Sequence, residues 1–175
     1  MNNTLILYKS KYGAAEKYAR MLAEKLGAAL LENKKLRPEQ LKPFDAIIYC
    51  GGIYAGGVAG ITLLRKNAAL LNGKKVAVLA VGASPYDDKA IAQVKAQNLA
   101  GLPEGTALFY GRGAWDESVM TAGDRLLCGM LKKMIAKKGP AAMEPLEQAL
   151  LEIMGKKCSW VDEKYLLPLI TYIAA

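Results

Sequence analysis

Three short stretches of the chain hold the residue types best suited to chemistry: KSKYGAA (9–15), GGIYAGG (51–57) and GASPY (82–86). Each is rich in Gly, Ala or Ser, so backbone can approach a ligand closely. Each also presents a tyrosine: Tyr12, Tyr54 and Tyr86. The first stretch opens a helical pattern, and free N–H groups with the helix dipole favour an anion such as phosphate there. Ser10 adds a hydroxyl, and Lys9 and Lys11 add positive charge. The other two tyrosines have aromatic faces that could flank a planar ring. Two alanines, Ala14 and Ala15, stand where hydroxyls would serve a phosphate best. Ordinary strand-to-helix turns use the same residues, so spacing alone leaves ligand binding and simple turn formation both open.

Other chemistries are narrowed by composition. The chain has no histidine, which removes the commonest general base, Ser-His and Cys-His pairs, and most zinc sites. Cys50, Cys128 and Cys158 are far apart and odd in number, as in a reduced intracellular chain without a disulfide framework or metal site. No catalytic side chain is singled out, and any reaction is expected to belong to a bound cofactor. The net charge of +8 suits phosphorylated cofactors, nucleic acid or a membrane surface, and equally a solvated lysine-rich surface. No nucleic-acid motif accompanies the lysines, so nucleic acid is not expected as a partner. NTLIL is too short for a signal peptide, and a cytoplasmic location is expected. The uncharged run 46–64 carries five glycines and reads as a strand, a Gly-rich turn and a helix start rather than a membrane span.

These loops need elements to position them. Leu5–Tyr8 reads as a first strand, followed by Ala15, Tyr18, Ala19, Leu22 and Leu26 at helical spacing up to Gly27. Ala28–Leu31 reads as an edge strand and Ala46–Cys50 as a third strand. A helix is expected at about 60–71, a buried strand at Lys75–Val81, a helix at Asp87–Leu99 and a fifth strand at Thr106–Tyr110. Strands without polar alternation are buried on both faces, as in parallel sheets. The pattern therefore predicts an α/β doubly wound five-stranded parallel sheet with helices on both faces. Ligands bind such sheets outside the carboxyl ends of the strands, where all three loops fall. No repeat or second domain stands out. A single domain over 1–175 is expected, with an extra helical segment at about 140–175.

Residues 119–138 place Leu126, Leu127, Met130, Leu131, Met134 and Ile135 on one helical stripe and Lys132, Lys133, Lys137 and Lys138 mostly on the other. Such a helix either packs on the sheet with a wet basic face or lies against a membrane surface. Further helices are expected at about 144–154 and 165–173. Trp115 is read either as a packing residue or as part of a substrate or partner site.

LILYKSKYGAAEKYA resembles the opening of flavodoxin-family proteins: an apolar strand, an aromatic, then Ser/Thr-x-Thr-Gly-x-Thr, a pattern that Ser10, Gly13 and Glu16 fit. CGGIYAGG resembles the family's second flavin loop and VGASPY its third. The segment GRGAWDESVMTAGDRLLCGMLKKMIAKK is similar to the branch that includes menaquinone-dependent protoporphyrinogen oxidases. The resemblance implies a flavodoxin-like sheet of order 2-1-3-4-5 and non-covalently bound FMN. It implies phosphate contacts from Ser10 and the backbone of Lys11, Tyr12, Gly13, Ala14 and Ala15. Tyr54 and Ala55 would face the isoalloxazine, with Ala83, Ser84 and Tyr86 on its other side. It implies electron transfer with a redox partner protein or a quinone-like small molecule. The alternatives are a protoporphyrinogen-oxidase-like flavoenzyme and a non-enzymatic flavodoxin-fold binding module. The second follows from Ala14 and Ala15: the family's hydroxyls at the positions of Tyr12 and Ala15 are absent, and Ala14 offers nothing polar. Each hydrogen bond to a charged group is worth ~1.5–3 kcal/mol, so losing two weakens FMN binding on the order of a hundredfold or more.

Overall fold

Five parallel strands form the frame of the protein in a computed structural model that describes residues 3–175. They are β1 (Thr4–Lys9), β2 (Ala29–Glu32), β3 (Ala46–Tyr54), β5 (Lys75–Gly82) and β6 (Ala107–Arg112), in the order β2-β1-β3-β5-β6. This is the 2-1-3-4-5 order. Side chains alternate across the sheet with a period of two, and both faces are apolar. Ile6, Ile48, Cys50, Leu79 and Val81 point to one face, and Leu5, Leu7, Ile47, Tyr49, Val76 and Val78 to the other.

Helix α1 (Ala14–Leu26) covers the first face with Ala15, Tyr18, Ala19 and Leu22. Each fully buried large apolar side chain here is worth ~1.5–3 kcal/mol relative to exposure. The helix stops at Gly27, whose φ of 58° is left-handed, and the Ala28 N–H turns back to the Ala23 carbonyl. On the other face lie α2 (Thr62–Lys66), α3 (Ala68–Leu71) and α4 (Asp88–Leu99). The helix expected over 60–71 is thus two short ones, broken at Asn67.

Beyond β6 the chain makes an excursion. Strand β7 (Ala114–Asp116) pairs antiparallel with β8 (Lys157–Ser159), and between them run α5 (Ala122–Lys137) and α6 (Pro145–Ile153). The excursion has a small core of its own, made by Trp115, Ile153 and Met154. Afterwards α7 (Leu167–Ala174) returns to the first face, where Leu169 and Ile173 join the core beside α1. Tyr18 fastens this return. Its hydroxyl donates to the Arg112 carbonyl at 2.6 Å and accepts from the Asp162 N–H at 3.2 Å.

One expectation is corrected by this topology. Helix α5 does not pack on the sheet; its stripe is exposed and only Ile135 is buried. The third strand runs on beyond Cys50 to Tyr54, and the Gly-rich turn is a hairpin in which β4 (Gly57–Val58) folds back on β3. Among the described residues no helix is long and apolar enough to cross a membrane.

Candidate functional site

The first loop leaves β1 at Lys9 and enters α1 through Gly13. Gly13 has φ 92°, a left-handed conformation natural only to glycine, and it is the N-cap residue of α1 without a side-chain cap. The N–H groups of a helix's first turn have no intrahelical partners. Here that turn follows the carboxyl end of β1. The Gly13 N–H donates to Ser10 Oγ at 3.0 Å, which shapes the loop and fixes the hydroxyl beside the helix end. The two alanines are explained by packing. Ala15 is buried in the α1 core, and Ala14 stands against Gly113.

A cleft of about 510 Å³ opens over this loop, lined by Lys9, Ser10, Lys11, Tyr54, Ala59 and Asp124. It brings the first and second loops together. Asp124 comes from the first turn of α5. The Lys11 ammonium donates to its Oδ2 at 2.5 Å, and the Tyr12 hydroxyl donates to the same oxygen. Tyr12 in turn accepts from the Thr121 N–H at 3.2 Å, while Thr121 Oγ1 accepts from the Asp124 N–H at 3.2 Å. The start of α5 is therefore latched onto the loop. Lys11 and then Tyr12, by hydrogen bonding, hold the Asp124 carboxyl below its usual range, and Asp124 raises Lys11. The latch persists through neutral pH and opens as pH falls through the depressed carboxyl pKa.

The second loop is a tight hairpin. Ala55 and Gly56 occupy its turn at φ 47° and 80°, and Tyr54 pairs with Gly57. A non-glycine residue at positive φ is strained by ~1–2 kcal/mol. The strain is held by Asn98, a buried amide on α4. Its Oδ1 accepts from the Val58 N–H at 2.8 Å, and its Nδ2 donates to the carbonyls of Gly56 and Val94 at 2.7 Å each. Tyr54 is left 42% exposed over the cleft, with the Lys11 ammonium 6.0 Å from its ring.

The third loop leaves β5 beside them but does not line the cleft. The Ala83 carbonyl accepts from Arg112 Nε at 3.0 Å, and the Ser84 carbonyl accepts from the Tyr110 hydroxyl. Tyr86 is exposed and packs edge-on against Tyr110, with ring centroids 6.0 Å apart. The Arg112 guanidinium lies 3.8 Å over the Trp160 ring. Trp115 is buried in the excursion's core, against which Ala83 packs. Burial makes it a packing residue at the edge of the loop.

The residues present fit a phosphate monoester. Ser10 Oγ sits at the uncapped start of α1, where the dipole favours negative charge, and shares the cleft with Lys11. For a planar ring, Tyr54 is exposed at the cleft, while Tyr86 is exposed after the adjacent strand β5 and outside the cleft lining. The one opposing group is Asp124, whose carboxylate already engages Lys11. Among the described residues no cluster of His, Cys, Asp and Glu could hold a metal.

Sequence reasoning missed Asp124, Asn98, Arg112 and Trp160. Only Asp124 left a signal: Thr121 and Asp124 have helix-start spacing. Asn98 sits in a helix with no neighbouring cue, and its role exists only once α4 lies beside β4.

The flavodoxin domain family matches residues 5–142. No curated protein matches the chain. Among solved structures, the chain is similar to a WrbA-like flavodoxin from Agrobacterium tumefaciens, with 20% identity and a TM-score of 0.47 over 87% of this chain and 92% of that one. It is also similar to a flavoprotein in complex with FMN from Lactobacillus acidophilus, at 15% identity and a TM-score of 0.43, covering 64% and 93%. A third is the two-electron reduced flavodoxin of Megasphaera elsdenii, at 16% identity and a TM-score of 0.46, covering 60% and 84%. With the match extending from β1 through α5, the chain belongs to the flavodoxin domain family.

Proposed function

We propose that the protein binds FMN and works as an electron-transfer flavodoxin. The observation that carries this reading is the uncapped N-terminus of α1, reached directly from a loop whose Ser10 and Lys11 line a cleft with Tyr54. Ser10 and the backbone N–H groups of Lys11 to Ala15 hold the phosphate, with Gly13 allowing the turn. Tyr54 and Ala55 cover one side of the ring, and Ala83, Ser84 and Tyr86 the other. Bound FMN supplies one- or two-electron transfer. The protein's part is to orient the ring, limit water and set access for a redox partner protein or a quinone-like molecule. Lacking histidine, it is without the commonest general base, which suits electron transfer better than bond-making catalysis. The test is to load the protein with FMN, photoreduce it and mix it with a one-electron acceptor such as ferricyanide. Oxidation of the protein-bound fraction is expected. Recovery of the oxidised-flavin absorbance only in released FMN would refute the reading.

The Asp124 latch favours a second reading, a flavodoxin-fold module whose phosphate loop has become an internal contact. In that case the parent fails to bind FMN and the Asp124→Asn variant, which opens the latch, binds it. A third reading, a protoporphyrinogen-oxidase-like enzyme, rests on the residues that lead from β6 into α5. Anaerobic assay of FMN-loaded protein with protoporphyrinogen IX and a quinone tests it, and absence of quinone-dependent turnover counts against it.

A further inference from the structure

The exposed apolar side chains are not scattered. Val119, Leu126, Leu127, Met130, Leu131 and Met134 all lie in one segment, while only Tyr54, Tyr86 and Leu167 among large hydrophobics are exposed elsewhere in the described residues. Leu126, Leu127 and Met134 are each more than 60% exposed. At 3.6 residues per turn the five on α5 fill an arc of about 140°. A contiguous patch of this kind marks an interaction site.

Charge narrows the occupant. Lys133 borders the apolar arc, Lys137 closes it at the C-terminal end of the helix, and Arg125 and Lys132 continue the basic side. None of the four makes an ion pair among the described residues. Lys138 is held by Glu147 at 2.5 Å, and the helix's single acidic residue, Asp124, is held by Lys11. A second copy would set these cations against one another on chains of net charge +8. A protein pocket is usually met by aromatic anchors, and α5 has none. Flexible Leu and Met side chains flanked by Lys suit a fluid apolar boundary with an anionic surface.

We propose that α5 is an in-plane membrane helix that seats Leu126, Leu127, Met130 and Met134 at the acyl boundary of an anionic bilayer, with Lys133 and Lys137 at the headgroups. Its 16 residues are too few to span, since ~20 are needed. The proposal does not depend on FMN.

The test is co-flotation of the full chain, without added FMN, with vesicles of phosphatidylcholine containing about one third phosphatidylglycerol, and with phosphatidylcholine alone. Flotation with the anionic vesicles, reduced by salt, is expected. K133Q/K137Q should weaken binding about twenty-five-fold, from about fivefold per charge. L126S/M130S should weaken it at least about tenfold. Both pairs are exposed, and a thermal melt checks that each variant is folded. No flotation at low salt would overturn the proposal. So would binding that L126S/M130S leaves unchanged, because the stripe would then not be seated. A dimer by light scattering that L126S/M130S dissolves would assign the stripe to a second copy and also overturn it.

Discussion

Replacing Asn98 with Ala tests how the strained second loop is held. The substitution removes one acceptor bond and two donor bonds, at 2.7–2.8 Å, from a side chain that is 1% exposed. Each such bond is worth ~1 kcal/mol net, and a buried group left without a partner costs ~1–3 kcal/mol. The Val94 carbonyl belongs to the helix ladder and loses least. The Val58 N–H and the Gly56 carbonyl lose their partner on α4, so the expected loss is about 3 kcal/mol. For a chain of this size that lowers Tm by roughly 6–12 °C, measured by circular dichroism at neutral pH. Asn98→Asp keeps the acceptor but turns a carboxylate toward two carbonyls, so it should be worse than Ala. A shift under about 2 °C for Asn98→Ala would refute the reasoning. It would mean that β3 and β4 hold the Ala55 turn without α4.

Ala55→Gly should raise stability by about 1 kcal/mol, since it relieves the left-handed strain at φ 47°; a denaturant midpoint that does not rise would contradict it. Burial pushes the Tyr18 hydroxyl up to about 12. The unfolded chain then loses this proton first, so stability falls as pH rises from about 10 through about 12. Tyr18→Phe should flatten that alkaline limb while costing ~1–2 kcal/mol at pH 7; an unchanged limb would sink the assignment. Asp124→Asn frees Lys11 and removes a like charge from the phosphate loop, so FMN should bind on the order of tenfold tighter. Weaker binding by fluorescence titration would mean that the latch supports the site rather than competes for it.

The sheet was legible because its signals are local. Runs such as Lys75–Val81 lack polar alternation, and burial on both faces follows from that alone. The resemblance of the first loop then implied the strand order that is observed. The excursion was not legible. Strands β7 and β8 have three residues each and pair across the whole of α5 and α6. No periodicity announces so short a ribbon. The same gap explains why α5 could be read as a sheet-packing helix. Its stripe has the right spacing, but α7 takes the place beside α1. In the candidate site, Ser10, Gly13 and Tyr54 were visible as loop residues. Asp124 and Asn98 reach their partners over |i−j| of 113 and 40, and only the folded chain brings them there. The two alanines of the first loop looked like lost ligands, while the structure also gives each a packing role.

The central claim is that the uncapped start of α1 still serves as a phosphate site. Titrating the purified protein with FMN at low salt, while following flavin fluorescence, tests it most directly. Quenching that saturates at one FMN per chain and is competed by inorganic phosphate is expected, with Ser10→Ala weakening it about tenfold. No saturable quenching up to tens of micromolar FMN would contradict the claim and leave a flavodoxin fold whose first loop is occupied by Asp124 alone.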